Sequence, residues 1–395
     1  MKSNYRALSE LIEKVDERND DGAITELIGV SIDKCFIKSV ANTNGTDLSK
    51  YKIIRKNEFA VSLMQVSRDS KIPVARLEDY EVAIMSPAYP IFRVKDTRKI
   101  LPEYLDMWFK RPEFDREAAF IAVGGVRGSM PWEEFVKMKL PVPTIEKQLE
   151  IVNSYKAITE RIALKQKIND NLVACIDTIF NEQFGNFKAL AESSTANTDF
   201  SSLPDGWTIE NAVHSFDISI GKTPPRSEPE WFTSNQTDNV WISIADMKTN
   251  SPFIFKSAEY LTNEAVKKHN VKIVPANSVL LSFKMTVGRV AIVTNEVTTN
   301  EAIAHFPCTK ENLFFVYCYL KNFNYGYLGS TSSITTAINS KIIKEMPFLM
   351  PSKKELDLFN HKVSGLFEQL KYISKELDIL EELSKMLLPQ LLGHC

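Results

Sequence analysis

The sequence predicts an α+β fold in which two β-rich mixed domains are separated by two long antiparallel helices that form an intramolecular coiled coil. Three observations indicate it. Strand-like and helix-like segments precede each long helix, both helices carry apolar residues at coiled-coil spacing, and the whole order occurs twice along the chain. The predicted architecture is therefore an internal repeat with pseudo-twofold symmetry.

Length and composition are those of a globular protein with more than one domain. The 395 residues are enough for two or three domains with separate cores, and 44% hydrophobic and 25% charged residues is an ordinary globular balance. No apolar run is long enough to cross a bilayer, and the N-terminus lacks the apolar core of a signal peptide. We therefore expect a cytoplasmic protein without a membrane partner.

Charge and cysteine usage exclude several classes of site. The net charge of −2 is unlike that of a protein that holds DNA by nonspecific phosphate neutralisation, so DNA contacts would need local basic loops or a partner. Five scattered cysteines indicate neither a disulfide framework nor a paired zinc site. His305 and Cys308 are close together, but their apolar stretch favours a core strand, and we expect no metal.

The first domain is predicted to span residues 1–143. The segment 51–68, "YKIIRKNEFAVSLMQVSR", indicates two strands joined by a turn, and "LPEYLDMWF" at 101–109 indicates a helix rich in aromatic residues. We interpret Trp108 and Phe109 as core residues rather than as platforms for base stacking. A glycine-bearing loop and a short strand then lead into the first long helix.

The first long helix is predicted over residues 144–186, with Thr144 as its N-cap. Lys165, Gln166 and Lys167 interrupt its apolar seam, which marks either the place where the helix leaves its twin or a polar register device. The small, polar residues 187–202 then indicate a linker.

The second domain, residues 203–350, repeats the framework of the first. The segment 271–288 aligns with 51–68 at an offset of 220 residues. This offset places Ile53 on Ile273, Asn57 on Asn277 and Ser62 on Ser282. The two domains are therefore expected to share strands and to differ in their loops.

The second long helix, residues 351–395, repeats the first at an offset of 208, with Ser352 and Glu355 as a capping box. At about 1.5 Å per residue each helix would be roughly 60 Å long, so its natural partner is its twin. The predicted a/d seam comprises Leu356, Phe359, Val363, Leu366, Leu370, Ile373, Leu377 and Leu380.

Several motifs together resemble one family, the specificity subunits of type I restriction-modification enzymes. The second domain contributes "LPDGWTIENAVHSFDISIGKTPPRSEPEWF", "VWISIADM", "SVLLSFKMTVGRVAIV" and "TTNEAIAHF". The first domain contributes "GVSIDKCFIKSVANTNGTDLSKYKIIRKNEFAV", "SPAYPIFRVKD" and "LPEYLDMWFKRPEFDR". With the two helical repeats, the resemblance covers essentially the full chain.

The resemblance implies that each globular domain is a target recognition domain that reads one half of a bipartite, asymmetric site in double-stranded DNA. It implies that the helices act as a ruler and dock two DNA methyltransferase subunits, with restriction subunits added outside. This chain would then be non-catalytic and bind no cofactor, since S-adenosylmethionine, ATP and Mg²⁺ belong to the partners. The sequence shows neither an adenine-methyltransferase motif nor a phosphate-binding loop.

Candidate DNA-binding residues lie in polar or basic loops that follow predicted strands. Both arginines of the second domain lie in such loops, and arginine is well shaped for guanine or phosphate contacts. The candidates are Gln65, Ser67, Arg68, Lys71 and Arg127 in the first domain, and Lys222, Thr223, Arg226, Lys284, Thr286 and Arg289 in the second.

The apolar end of the second helix is expected to meet either a partner or the opposite end of the twin helix. Two apolar clusters on the helices are predicted to form equivalent capping regions near the methyltransferase contacts. They comprise Ile176, Ile179, Phe180 and Phe184 on the first helix and Leu387, Leu388, Leu391 and Leu392 on the second.

Two other functions remain open from the sequence. A two-headed coiled-coil scaffold that binds protein ligands would have no DNA preference. An enzyme acting alone on DNA would need a catalytic constellation, which we do not find.

Overall fold

A computed structural model describes residues 4–39, 46–64, 66–123, 128–194, 198–236, 238–248, 251–328 and 338–393. The chain divides into two compact units. The first comprises Met1–Arg161 with Leu380–Cys395, and the second comprises Ile162–Ile379. Each long helix therefore contributes to both units, whereas each globular domain lies within one. No helix in the described ranges is both long and apolar enough to cross a bilayer.

The first unit is built from short strands and helices that lead into the first long helix. In chain order they are β1 (Tyr5–Ala7), α1 (Leu8–Leu11), β2 (Ile12–Val15), β3 (Ile28–Val30), β4 (Phe36–Lys38), β5 (Lys52–Arg55), β6 (Phe59–Val61), α2 (Val66–Asp69), β7 (Val74–Arg76), β8 (Val82–Met85), β9 (Ile91–Val94), α3 (Pro102–Phe109), α4 (Pro112–Ile121), α5 (Trp132–Phe135), β10 (Lys139–Pro141) and α6 (Ile145–Glu192). A central antiparallel sheet has the order β2-β9-β6-β7, and β1 pairs with β10, β3 with β4 and β5 with β8.

Aromatic side chains fill the core between this sheet and α3. Phe59 and Phe92 stack with ring centroids 5.2 Å apart, and Phe109 meets both edge-on. The prediction that Trp108 and Phe109 are core residues is confirmed, because both are buried. This packing fixes the sheet whose loops carry the candidate residues of the first domain.

The second unit contains the second domain between the two long helices. Its elements are β11 (Thr208–Asn211), α7 (Ala212–Ser215), β12 (Ser219–Ile220), β13 (Phe232–Thr233), β14 (Asn239–Ile242), β15 (Phe253–Ile254), β16 (Glu259–Leu261), α8 (Asn263–Lys268), β17 (Ser278–Ser282), β18 (Val290–Val293), β19 (Thr298–Thr299), β20 (Ile303–Pro307), α9 (Leu313–Asn322), α10 (Ser340–Glu345), β21 (Pro347–Met350) and α11 (Lys353–Gly393). The sheets have the orders β12-β20-β17-β18-β15 and β13-β16-β14-β19, and β11 pairs with β21.

The main sheet of the second unit repeats that of the first. The order β12-β20-β17-β18 corresponds to β2-β9-β6-β7, and β15 extends the second sheet beyond β18. Asn57 and Asn277, which the sequence aligns, have φ angles of 67° and 62° just before β6 and β17. Asparagine tolerates this left-handed region better than most residues. The predicted internal repeat is therefore present in the strand order and in the turn.

The two long helices pair antiparallel. In the second unit, Lys165 Nζ lies 2.8 Å from the Glu376 carboxylate, and Gln183 Nε2 donates to the Glu355 carboxylate at 3.1 Å. Within the first unit, the Ser384 hydroxyl donates to the Tyr155 hydroxyl at 3.4 Å. The predicted α+β fold with paired long helices is confirmed, and the Lys165 ion pair favours a register device.

The helices bury a wider stripe than the predicted seam. Phe367, outside the seam, is buried and stacks on Phe314 of α9 with ring centroids 4.1 Å apart. Phe315 of α9 meets Phe184 edge-on at 4.9 Å. Each helix in this unit therefore packs on the globular domain as well as on its twin.

The predicted linker begins too early. Helix α6 continues to Glu192, so residues 187–192 are helical rather than linking. The reason is tertiary packing: Phe187 lies 4.8 Å from Trp207 between ring centroids, and Ala191 is fully buried. The small, polar composition of this segment concealed these two contacts.

Candidate nucleic-acid interface

In the second unit, the first candidate loop leaves the end of β12. The Gly221 N–H donates to the Ile303 carbonyl at 3.1 Å, and the Lys222 N–H donates to the Thr299 carbonyl at 2.9 Å. A Cβ at Gly221 would collide with Thr299 and Asn300, so this close backbone approach requires glycine. The loop is thereby fixed against β19, and the Lys222 side chain is exposed.

A buried histidine stabilises this loop through hydrogen bonds. His305 lies in β20, as expected for a core strand, with Nδ1 2.9 Å from Ser219 Oγ and Nε2 2.7 Å from Thr299 Oγ1. Burial lowers the pKa of His305 from 6.5 to about 4, so the ring is neutral near pH 7. His305 therefore positions Thr299, and through it the backbone of Lys222.

The neighbouring cysteine takes no part in this network. Cys308 follows β20, and burial raises the pKa of its thiol to about 12. Within the described ranges, no group of three or more His, Cys, Asp and Glu side chains is placed to hold a metal ion.

Arg226 is held on the protein surface by two kinds of contact. Its guanidinium forms two hydrogen bonds to the Glu259 carboxylate, at 2.6 and 2.8 Å. It also lies over the rings of Phe232 and Trp241, at 3.9 and 4.8 Å from their centroids. The side chain is half exposed, so it presents one face outward in a fixed orientation.

Glu301 brings the two candidate loops of the second domain together. The Thr223 hydroxyl donates to its carboxylate. Burial raises the pKa of Glu301, but the hydrogen bond from Thr223 and the charges of Lys284 and Arg226 outweigh it, so the net shift is downward. Thr223 therefore contacts this carboxylate directly, and the charges of Lys284 and Arg226, from different loops, both stabilise its ionised form.

The second candidate loop is the turn of the β17–β18 hairpin. Lys284 and Thr286 are exposed at its tip. Arg289 lies at its base instead, donating from Nη1 to the Ile244 carbonyl at 2.7 Å and lining a cleft of about 480 Å³ with Asp177 and other residues. The structure thus separates Arg289 from the other candidates of this domain.

In the first unit, the corresponding loop after β6 folds into the short helix α2. Arg68 is exposed and pairs with the adjacent Asp69, at 2.7 and 3.1 Å. Lys71 is exposed as well, with a distant ion pair to Asp33 at 4.0 Å. Both cations are weakly held by solvated partners and can exchange them for a phosphate. Ser67 is half-buried beside them.

Two candidates of the first domain, Gln65 and Arg127, lie outside the described residues. The residue after Arg127, Gly128, has a φ of 74°, and a Cβ there would collide with the Ser67 hydroxyl. The Met130 N–H donates to the Leu63 carbonyl at 2.9 Å. Gly128 and Met130 thus lie beside Ser67 of α2 and Leu63. The DNA roles of all these candidates stay predictions.

The apolar clusters predicted to meet a methyltransferase are packed inside this chain. Ile176, Phe180 and Phe184 are buried in the core of the second unit, and Leu388 and Leu392 in that of the first. Ile179, Leu387 and Leu391 are half-buried. The clusters are largely buried because the apolar stripe of each helix is wide enough to reach the globular domain, and their role as capping regions near the methyltransferase contacts stays a prediction.

Sequence reasoning missed the apolar side chains that are exposed. On the second long helix they include Tyr372 and Ile379 in the second unit and Leu383 and Met386 in the first, all off the predicted seam, and on the first long helix they include Leu149, Leu164 and Ile168. It also missed Met285, at the tip of the β17–β18 hairpin. The available signal was a methionine inside a predicted polar turn.

Comparison with known proteins gives consistent results. Residues 215–385 match the family of the type I restriction modification DNA specificity domain. The chain is 29% identical to the HindI specificity subunit of a type I restriction enzyme from Haemophilus influenzae over 196 residues, 48% of this chain and 42% of that protein. It is 23% identical to the MjaIX specificity subunit from Methanocaldococcus jannaschii over 205 residues, 49% of this chain and 45% of that protein. The chain spans less than half the length of both relatives.

One solved structure has a similar fold. It is the crystal structure of a type I restriction-modification system S subunit from M. genitalium, with a TM-score of 0.54 and 14% identity. The similarity covers 99% of this chain and 96% of that one. It agrees with the repeated α+β architecture described above.

Proposed function

We propose that the chain is a type I restriction-modification specificity subunit, because residues 215–385 match the DNA specificity domain of that family and a specificity subunit is 29% identical over 196 residues. In this proposal it is the DNA sequence-recognition subunit of a restriction-modification complex. Each globular domain reads one half of a bipartite, asymmetric DNA site. The two long helices set the spacing between the halves and dock methyltransferase subunits, two copies in the proposed complex, with restriction subunits outside.

The observation that carries this proposal is one sheet order with two different loop sets. The loop after β6 is a short helix bearing Arg68, whereas the loop after β17 is a hairpin turn bearing Lys284. A shared frame can present different side chains to the two halves of an asymmetric site. Two domains with different loops on one chain would recognise two different half-sites, and therefore an asymmetric site.

The distribution of charge also supports DNA as the ligand. The net charge is −2, yet exposed Lys222, Lys284, Arg68 and Lys71 lie in loops at the ends of strands. Local cations of this kind neutralise phosphates and position a protein on the duplex. Because these cations are few, the partner subunits would contribute part of the affinity for DNA.

The chemistry in this proposal belongs to the partners. The chain provides recognition, while S-adenosylmethionine, ATP and Mg²⁺ are bound by the methyltransferase and restriction subunits. The methyltransferase subunits would dock on exposed apolar side chains of the helices, such as Tyr372 and Ile379 in the second unit. The apolar clusters predicted from the sequence are buried and would not form this contact.

The test is to co-express the chain with a cognate methyltransferase subunit and to map methylated adenines across the host genome at single-base resolution. The expected result is one asymmetric motif with two specified parts and a fixed unspecified gap. Exchanging residues 203–350 for those of a related subunit should change one half of the motif. Methyltransferase expressed alone is the matched control.

The contrary result would be no new methylation although the two proteins form a stable complex. That result would favour the two-headed scaffold for protein ligands. Salt dependence separates the two functions, because DNA binding through phosphates weakens steeply with ionic strength.

A further inference from the structure

The side chain of Met285 is almost completely exposed to solvent. Its exposed fraction is 99%, although it lies in a structured hairpin between β17 and β18. Scattered apolar residues at the surface are common and usually retain partial contacts. The Met285 side chain makes almost no such contacts, so packing within the second unit does not explain why a methionine stands at this position.

The backbone at Met285 is strained as well. Its φ is 59°, in the left-handed region, and the Thr286 N–H donates to the Lys284 carbonyl at 2.6 Å. This is a three-residue γ-turn with positive φ, which is a rare and strained conformation. A residue with a Cβ is less stable in this region than in right-handed geometry, because the Cβ approaches the following carbonyl oxygen.

Hydrogen bonds hold the turn in this shape. The Ser282 hydroxyl donates to the Thr286 carbonyl at 2.6 Å and accepts from the Arg289 N–H at 3.0 Å. The Gly288 N–H donates to the Ser282 carbonyl at 2.9 Å, and Phe283 is fully buried beneath. The fold therefore fixes the backbone of Met285 and leaves its side chain projecting into solvent, an arrangement suited to a ligand.

The surroundings of Met285 match DNA. Lys284 and Thr286 flank it with a cation and a hydroxyl, and both side chains are exposed. A two-stranded antiparallel ribbon is of a size that enters the major groove of B-form DNA. There, the apolar group on a base edge is the 5-methyl of thymine, and the unbranched, polarisable methionine side chain packs well against such a group.

We infer that Met285 is a specificity-determining residue that contacts the 5-methyl group of a thymine in the half-site read by the second domain. The inference rests on the proposed function and deepens it. The first domain has Gln65 at the aligned position, a residue type that pairs with adenine rather than with a methyl group. The contact is therefore confined to one half of the site.

The test uses the complex of the full chain with its methyltransferase and duplexes containing the mapped site. Each thymine of the half-site assigned to residues 203–350 is replaced in turn by deoxyuridine, which lacks the methyl group. We expect one replacement to slow methylation about tenfold with the wild-type chain, as for loss of one methyl contact. With Met285→Ala, the thymine duplex should react about tenfold more slowly and no longer differ from the deoxyuridine duplex.

Two variants serve as controls. Met285→Leu keeps an apolar side chain and should retain most of the discrimination between thymine and uracil. Ile273→Ala removes an apolar side chain of 51% exposure from the same domain, and should change neither rate nor preference.

Two outcomes overturn the inference while the proposed function stands. They are a bipartite motif whose second-domain half contains no thymine that responds to deoxyuridine, and a response that persists unchanged in Met285→Ala. Absence of any bipartite methylation by the wild-type complex would overturn the proposed function itself, and this inference with it.

Discussion

Equivalent strands at the centre of the two sheets differ at one buried position. In β9 of the first unit the position is Ile91, which pairs with Ala60, and in β20 of the second it is His305, which pairs with Leu280. The isoleucine needs apolar neighbours alone, whereas the histidine needs hydrogen bonds and finds them in Ser219 and Thr299. The sheet common to both units therefore tolerates a buried polar residue where neighbouring side chains form hydrogen bonds with it.

The long helices show the same contrast at positions 208 residues apart. Gln148 of α6 is fully buried, accepting from the Leu101 N–H and donating to the carbonyls of Lys99 and Pro143, all at 2.9 Å. Its equivalent in α11 is Leu356, in the apolar core of the second unit. One repeat thus joins helix to domain through hydrogen bonds and the other through apolar contact.

The largest expected effect concerns the aromatic core of the second unit. Phe184 is fully buried against Trp207, Phe315 and Phe359, while its equivalent in the first unit is the smaller Leu392. Phe184→Ala should lower the free energy of unfolding by about 4 kcal/mol, and Leu392→Ala by less. Urea denaturation followed by tryptophan fluorescence measures both.

The matched control for this pair is Phe120→Ala, because Phe120 is 81% exposed and should change stability by about 0.5 kcal/mol or less. Equal losses for Phe184→Ala and Leu392→Ala would contradict the stronger aromatic packing of the second unit.

The next largest effect concerns a buried ion pair of the first unit. Lys34, between β3 and β4, is buried, with Nζ 2.8 Å from Asp115 and donating to the Phe109 carbonyl. Burial lowers the pKa of Lys34, against the opposing effect of Asp115. Lys34→Ala leaves Asp115 without its cation and should cost about 3 kcal/mol in denaturant unfolding.

Lys38 of the same hairpin provides the comparison, because its ion pair with Glu26 spans 3.6 Å and the lysine is exposed. Lys38→Ala should cost about 0.5 kcal/mol or less. If both lysines proved equally dispensable, the buried pair would not anchor this hairpin.

A third prediction concerns acid sensitivity. The pKa of His305 is lowered by burial from 6.5 to about 4, so the unfolded chain takes up the proton first as the pH falls. Its contribution to stability is therefore present above pH 6.5 and is lost between pH 6.5 and about 4, by about 2 kcal/mol at pH 5. Urea unfolding at pH 7 and pH 5 measures the loss.

His305→Ile copies Ile91 of the first unit and removes the titrating group. It should lose stability at pH 7, because the hydroxyls of Ser219 and Thr299 lose their partner, yet respond less to acid than the wild type. An undiminished response to acid would place its origin in other groups.

The smallest expected effect concerns the contact between long helix and globular domain, which is made by hydrogen bonds of Gln148 in the first unit and by apolar packing of Leu356 in the second. Gln148→Leu copies Leu356 into the first unit and leaves one N–H and two carbonyl groups without this partner, so we expect a loss of about 1–2 kcal/mol. The exposed neighbour change Lys147→Ala is its control. If Gln148→Leu were neutral in denaturant unfolding, the two joints would be interchangeable.

Much of this fold was predictable because the signals are local or repeated. Apolar periodicity predicts α6 and α11, and the alignment of Asn57 with Asn277 predicts a shared turn before a shared strand. The end of α6 was not predictable, because contacts of Phe187 and Ala191 with distant residues extend the helix beyond its local signal. The same limit applies to Phe367, whose partners lie on α9.

For the candidate site, residue type and loop position predict which side chains are exposed in most cases, as for Lys222 and Lys284. They did not predict that Arg226 is held by Glu259 and two aromatic rings, or that Arg289 lies at the base of its hairpin. Such partners come from segments far apart in sequence.

The sequence by itself determined the duplication and the two long helices, because apolar periodicity and the repeated order of segments can be recognised along the chain. The tertiary structure alone decided which apolar residues are free. It buried Phe180 and Leu388 against the domains, and it left Met285 fully exposed on a strained turn. Burial depends on what lies across from a residue, and that neighbour is set by chain folding over long distances rather than by local sequence.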